Sequence, residues 1–159
     1  HVPQPVQLLK EIRRILKPDG FVYIEVPNAG GWAARRCADR WLAYDVPKHL
    51  FHFSPGSLRA LAQQAGLEQV GESHSSIEYS PVSLLQTLCN VGLGGRSVLF
   101  RRLTHESGSA GAGPEVSTVR RWAEPVFAAA LLGPVILLSA LLSLRRQGET
   151  FGAYFRPAT

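Results

Sequence analysis

Two histidines three residues apart, His49 and His52 in the run HLFH, are the residues of this sequence best suited to chemistry. An imidazole changes charge close to neutral pH, so either one is a candidate general base for taking the proton from an acceptor hydroxyl. The same spacing suits two metal ligands, but the sole further ligand at a useful distance is Asp45, and no metal site is expected. The other reading is that both histidines pack their segment against the helix that follows. Around them stand Trp32, Trp41 and Tyr44, which form either an apolar wall for a substrate or the core of a lid. Asn28 serves either as a substrate contact or as a turn residue bonded to its own backbone. His1, by its position alone, reads as a frayed end. Ser54 reads as a helix cap and not a nucleophile, because no base and oxyanion arrangement accompanies it.

These residues lie in one long segment between two regular elements. Phe21 to Val26 is apolar apart from Glu25, as in a strand buried on both faces of a parallel sheet, and Pro27 ends it. Residues 27 to 53 then make an unusually long connection, on the side where ligands bind in open α/β sheets. Upstream, Leu8, Ile12, Ile15 and Leu16 mark one face of a helix that stops before Pro18, and Asp19-Gly20 turns the chain into the strand. Downstream, Ser54-Pro55 opens a helix carrying Leu58, Leu61, Ala62 and Ala65 on one face, and Gly66 closes it. Leu67 to His74 reads as a second strand. The alternation α, β, α, β predicts an α/β, doubly wound fold.

With 45% hydrophobic and 18% charged residues the chain is globular. A net charge of +5 suits an anionic partner, but the arginines come in scattered pairs without interleaved aromatics, so nucleic acid is not expected. Cys37 and Cys89 stand far apart, which argues against a disulfide framework and fits a reducing cytoplasm. Residues 1 to 20 lack the apolar core of a signal peptide. The chain has no methionine and starts at His1, and it is read as continuing upstream.

HVPQPVQLLKEIRRILKPDGFVYIEVPN resembles the downstream half of the class I S-adenosylmethionine-dependent methyltransferases, where a helix of the form LLxExxRxLKPGG leads into a strand. DVPKHLFHFSPGSLRALAQQAGL is similar to a later helix, and the segment before it, in a bacterial small-molecule branch of that superfamily. Asp19 replaces the usual glycine, a harmless change in a turn. The resemblance implies a C-terminal half of a Rossmann-like sheet, S-adenosylmethionine as cofactor in the full-length protein, a small-molecule acceptor, and His1 at the mouth of the cofactor pocket. It also implies that the Gly-rich cofactor loop lies upstream of His1, so that the chain alone is inactive. A non-catalytic half-domain or a membrane-surface interaction module is the alternative.

Beyond residue 75, Pro81 to Cys89 predicts a helix with Val82, Leu85 and Leu88 on one face, broken by glycines from Gly92 to Gly95. Residues 105–118 have linker composition. Residues 126–144 carry no charge and are flanked by Arg120-Arg121 and Arg145-Arg146. As a helix they would be about 28 Å long, just enough to cross a bilayer core. Gly133-Pro134 at the middle suggests a shallow hairpin instead, lying on an anionic membrane; helices packed on the domain or on a second copy, and a true span, are the other readings. The expected organisation is 1–104 as the methyltransferase part, 105–118 as linker, 119–147 as the apolar segment or hairpin, and 148–159 as the last strand and tail. The expected location is cytoplasmic, peripheral to the inner face of the cell membrane. Neither the acceptor nor the oligomeric state is legible.

Overall fold

The computed structural model describes residues 1–74, 76, 79–93 and 118–158. Their order is α1 (Pro5–Ile15), β1 (Val22–Pro27), α2 (Trp32–Cys37), a 3₁₀ turn (Ala38–Arg40), α3 (Pro55–Gln64), β2 (Leu67–Ser73), α4 (Ser80–Leu93), α5 (Thr118–Leu144) and β3 (Thr150–Pro157). The mixed α/β class is as expected. The strands form one sheet in the order β1-β3-β2, and β3 runs antiparallel to both neighbours. β1 and β2 are therefore parallel to each other, joined by a helical crossover, with the last strand inserted between them.

That insertion changes the reading of β1. Val22, Ile24 and Val26 face α1 and α3, but Phe21, Tyr23 and Glu25 are exposed on the other face. An aromatic pair mimicked burial on both faces, although Tyr23 carries a hydroxyl that donates to Glu25 Oε2 at 2.8 Å. In α1 the buried residue is Leu9, with Ile12 and Leu16 packed beside it, while Leu8 and Ile15 are exposed. Either leucine of the Leu8-Leu9 pair satisfies helical periodicity, and contact with α3 and the sheet decides between them. In α4 the inward residues are Leu84, Leu85 and Cys89, and Val82 is exposed.

The sheet is covered on one face by α1 and α3, around Leu58, Leu67, Phe151 and Phe155. α3 starts as its sequence dictates. Ser54 Oγ accepts from Ser57 N at 3.2 Å and Ser57 Oγ accepts from Ser54 N at 2.9 Å, so two end groups satisfy each other. Gly66, with a φ of 75°, supplies the left-handed turn into β2.

A second core sits at the carboxyl ends of β1 and β2, where β3 begins. It gathers Ala33, Trp41, Ala43, Leu84, Leu85, Ala128, Val135 and Leu142 from α2, the segment after it, α4 and α5. The apolar segment is one continuous helix of 27 residues, not a hairpin, with Pro125 and Pro134 inside it. Packing against α4 on both sides of Pro134 keeps the helix running through the lost hydrogen bond. The linker expected at 105–118 falls outside the described residues, except that Thr118 begins α5.

Candidate functional site

The long connection after β1 is closed on itself. Asn28 pairs with Phe53 as an isolated parallel bridge, and Ala29 N donates to Phe53 O at 2.8 Å. Asn28 Nδ2 donates to Gly148 O at 3.1 Å, and its Oδ1 accepts from Gly30 N at 3.0 Å. One end of this buried amide thus ties the connection to the bend that leads into β3, and the other closes a turn within the connection. Gly31 makes that crossing possible, because a Cβ there would lie 2.6 Å from Gly148 O. Part of the connection is helical, which is how so long a segment satisfies its backbone.

Inside this clasp, side chains converge on a cavity of about 400 Å³ lined by Ala29, Ala34, Ala38, Asp39, Trp41, Tyr44 and His52. Tyr44 stacks on His52 with ring centres 5.2 Å apart and planes 12° from parallel. Trp41 lies 6.1 Å from His52, His49 lies 6.4 Å from it, and His1 meets His49 edge-on at 4.9 Å. Of the residues singled out in the sequence, His1, Trp41, Tyr44, His49 and His52 therefore come together. Asn28 serves the backbone, and Trp32 packs against the second core instead of lining the cavity.

The two imidazoles differ in their bonds. His49 Nδ1 lies 2.7 Å from Ala43 O. A carbonyl oxygen can only accept, so Nδ1 carries the proton, and in the neutral ring Nε2 keeps the basic lone pair. His52 Nε2 is buried and has no hydrogen-bond partner among the described residues. A buried imidazole nitrogen without a partner is costly in an empty pocket and useful beside a bound hydroxyl. Among the described residues no three His, Cys, Asp or Glu side chains group closely enough to hold a metal ion.

Behind the cavity wall lies Glu149, a residue outside the sequence reading of the site. It is buried, and its Oε2 accepts from Trp41 Nε1 at 3.0 Å and from Ser83 Oγ at 2.8 Å, while Oε1 has no partner among the described residues. Burial raises its pKa above the ordinary carboxyl value, with the two hydrogen bonds opposing. Burial and then Glu149 raise the Cys37 thiol, and Tyr79 is raised by burial, then by Glu149 and Asp45. The signal available was a lone carboxylate at the start of an apolar strand.

Residues 1–72 match a family described as "Methyltransferase domain". These first 72 residues are methyltransferase-like. The match spans α1 to β2 and includes the whole clasp with His49 and His52. No curated protein matches the sequence. Among solved structures, a proposed sarcosine dimethylglycine methyltransferase from Galdieria sulphuraria aligns with 99% of this chain and 49% of its own, at 20% identity and a TM-score of 0.43. The chain thus spans about half the length of that structure. Methyltransferase resemblance points to S-adenosylmethionine in general terms. The cavity's aromatic faces and its one carboxylate fit the cationic end of that donor.

Proposed function

We propose that this chain forms the acceptor side of an S-adenosylmethionine-dependent methyltransferase acting on a small molecule held among Trp41, Tyr44 and His52. The observation that carries this reading is the stacking of His52 on Tyr44 at the cavity beyond the strand ends, with His49 beside His52, within the methyltransferase-like residues. When bound, S-adenosylmethionine supplies an electrophilic methyl group. The chain's own residues do the rest. Trp41, fixed by Glu149, and Tyr44, stacked on His52, flank the acceptor and exclude water from it. His49, oriented by the Ala43 carbonyl, presents Nε2 as the proton acceptor, and His52 Nε2 offers the buried polar contact that orients the nucleophilic atom. The histidine at position 1 extends this wall through its edge contact with His49.

The test is kinetic, in the natural protein that carries this sequence. His49→Ala or His52→Ala should lower kcat by about 10² to 10⁴ where that residue moves the proton. A change under about threefold for both variants leaves them as packing residues and returns the chain to a non-catalytic module. Retention of S-adenosylmethionine binding in the variants separates loss of chemistry from loss of the cofactor.

A further inference from the structure

We propose that the outward face of α5 docks in the plane of a membrane surface that carries anionic lipid. The helix has two unlike faces. Inward, Glu124, Ala128, Val135, Ser139 and Leu142 are buried against the domain, at spacings of one or two helical turns. Glu124 Oε1 accepts from Gln86 Nε2 at 3.0 Å, and the same nitrogen lies 2.9 Å from Asn90 Oδ1, so a polar seam joins α5 to α4. Outward, Trp122, Val126, Ile136, Leu137 and Leu144 are exposed at 77%, 72%, 52%, 64% and 82%.

Only 22% of the most apolar stretch within Trp122–Leu144 is buried, whereas the core helix of a water-soluble domain hides most of its length. At 1.5 Å per residue these 23 residues offer a face about 34 Å long. The buried seam makes the helix one-sided, as an interfacial helix is, while a lone span must be apolar all round. Its ends suit a lipid surface as well. Trp122 stands at the amino end, and Arg145 and Arg146 are exposed at the carboxyl end, within a chain of net charge +5. Arg146 binds Glu72 at 3.0 Å and still keeps its side chain 74% exposed. The net charge of +5 disfavours a second copy of the chain, whose excess of cations would be repelled, and favours an anionic surface. Docking stands whether or not the cavity transfers methyl groups.

The test is co-sedimentation of the full chain with vesicles of phosphatidylcholine alone or mixed with phosphatidylglycerol. Binding should favour the anionic vesicles. The paired change Ile136→Ser and Leu137→Ser should weaken it at least tenfold at every salt concentration, since apolar burial is not screened (about 1.5 kcal/mol or more for each large side chain). Arg145→Gln should weaken it about fivefold at low salt and hardly at high salt (about 1 kcal/mol for one arginine near the surface). Both changes lie on exposed positions, so unaltered thermal melting shows that the variants fold. No binding to either vesicle overturns the proposal. So does a dimer in sedimentation that the paired serine change dissociates, which would assign the face to a second copy. Cysteines replacing Thr118 and Gln147, at the start of the helix and just past its end, in a chain without Cys37 and Cys89, should label from one side of sealed vesicles; labelling from opposite sides means a span and overturns in-plane docking.

Discussion

Glu149 joins the candidate site to the sheet, and its burial has a consequence for pH. A raised pKa means that folding favours the protonated form. Below the ordinary value of 4.5 the carboxyl is protonated whether the chain is folded or not. As pH rises past that value the unfolded chain ionises first, and stability falls until the folded carboxyl also ionises. Glu149→Gln keeps an acceptor for Trp41 and Ser83 and removes this loss. Stability of the native chain relative to the variant should therefore decline above about pH 4.5, at no more than about 1.4 kcal/mol per pH unit. Urea melts of both proteins across that range measure the difference, and a native chain that gains on the variant as pH rises would refute the assignment. Gly31 is the other single residue on which the site rests. A methyl group there would meet Gly148 O at 2.6 Å and Asn28 O at 3.0 Å, both backbone atoms of the clasp. Gly31→Ala should cost about 1–3 kcal/mol in denaturant melts. An unchanged midpoint would mean that the clasp yields freely.

Among the elements, β3 does the most connecting. Its inward residues Phe151, Ala153 and Phe155 fill the core under α1 and α3, and on its outward face Gly152 lets the Tyr23 ring lie across the strand. Tyr23 touches Tyr154 with ring centres 4.7 Å apart and donates to Glu25. Although much of the ring is exposed, desolvation of the hydroxyl where it lies over Gly152, then that hydrogen bond, pushes its phenol up to about 12. A Cβ at position 152 would overlap the ring. Gly152→Ala should lift Tyr23 off the sheet at about 1–3 kcal/mol, and ultraviolet titration should show a phenol falling back toward its ordinary value. An unmoved phenol would show that the ring was not seated on Gly152. At the far end of β2, Glu72 ties the sheet to α3 and to the end of α5. It takes Arg59 at 3.7 Å and Arg146 at 3.0 Å. Burial alone would raise its pKa, but Gln69, His74 and Arg146 together bring it below the ordinary value.

At the scale of the whole molecule, the two cores are linked through the segment Gly148 to Thr150. Asn28 N donates to Glu149 O, Trp41 and Ser83 hold the Glu149 carboxyl, and Ser80 Oγ lies 3.1 Å from Thr150 Oγ1. A defect in one core should therefore reach the other. Phe155→Ala, in the first core, should cost about 3–5 kcal/mol. In a chain where Trp32 and Trp122 are phenylalanine, Trp41 fluorescence reports the second core. It should shift to the same lower midpoint as the backbone signal; two separate midpoints would show that the cores unfold independently.

The sequence by itself determined what local chemistry controls. The Ser54 cap, the Pro55 start, the Gly66 stop and the extent of β2 depend on neighbouring residues, and they stand where the pattern put them. The cluster of His49, His52, Tyr44 and Trp41 was legible because these residue types are rare and fall within one connection. Whatever depends on distant partners was decided by tertiary structure alone. Which face of β1 is covered, which leucine of α1 points inward, and the unbroken course of α5 through Pro134 all follow from packing partners far along the chain. So does the separation of roles within the site. The local turn from Asn28 to Gly30 was legible, but Asn28 and Glu149 are 121 residues apart and meet only when β3 enters the sheet beside β1, so no local pattern could show that Asn28 also holds Gly148 or that Trp41 has a buried carboxyl behind it.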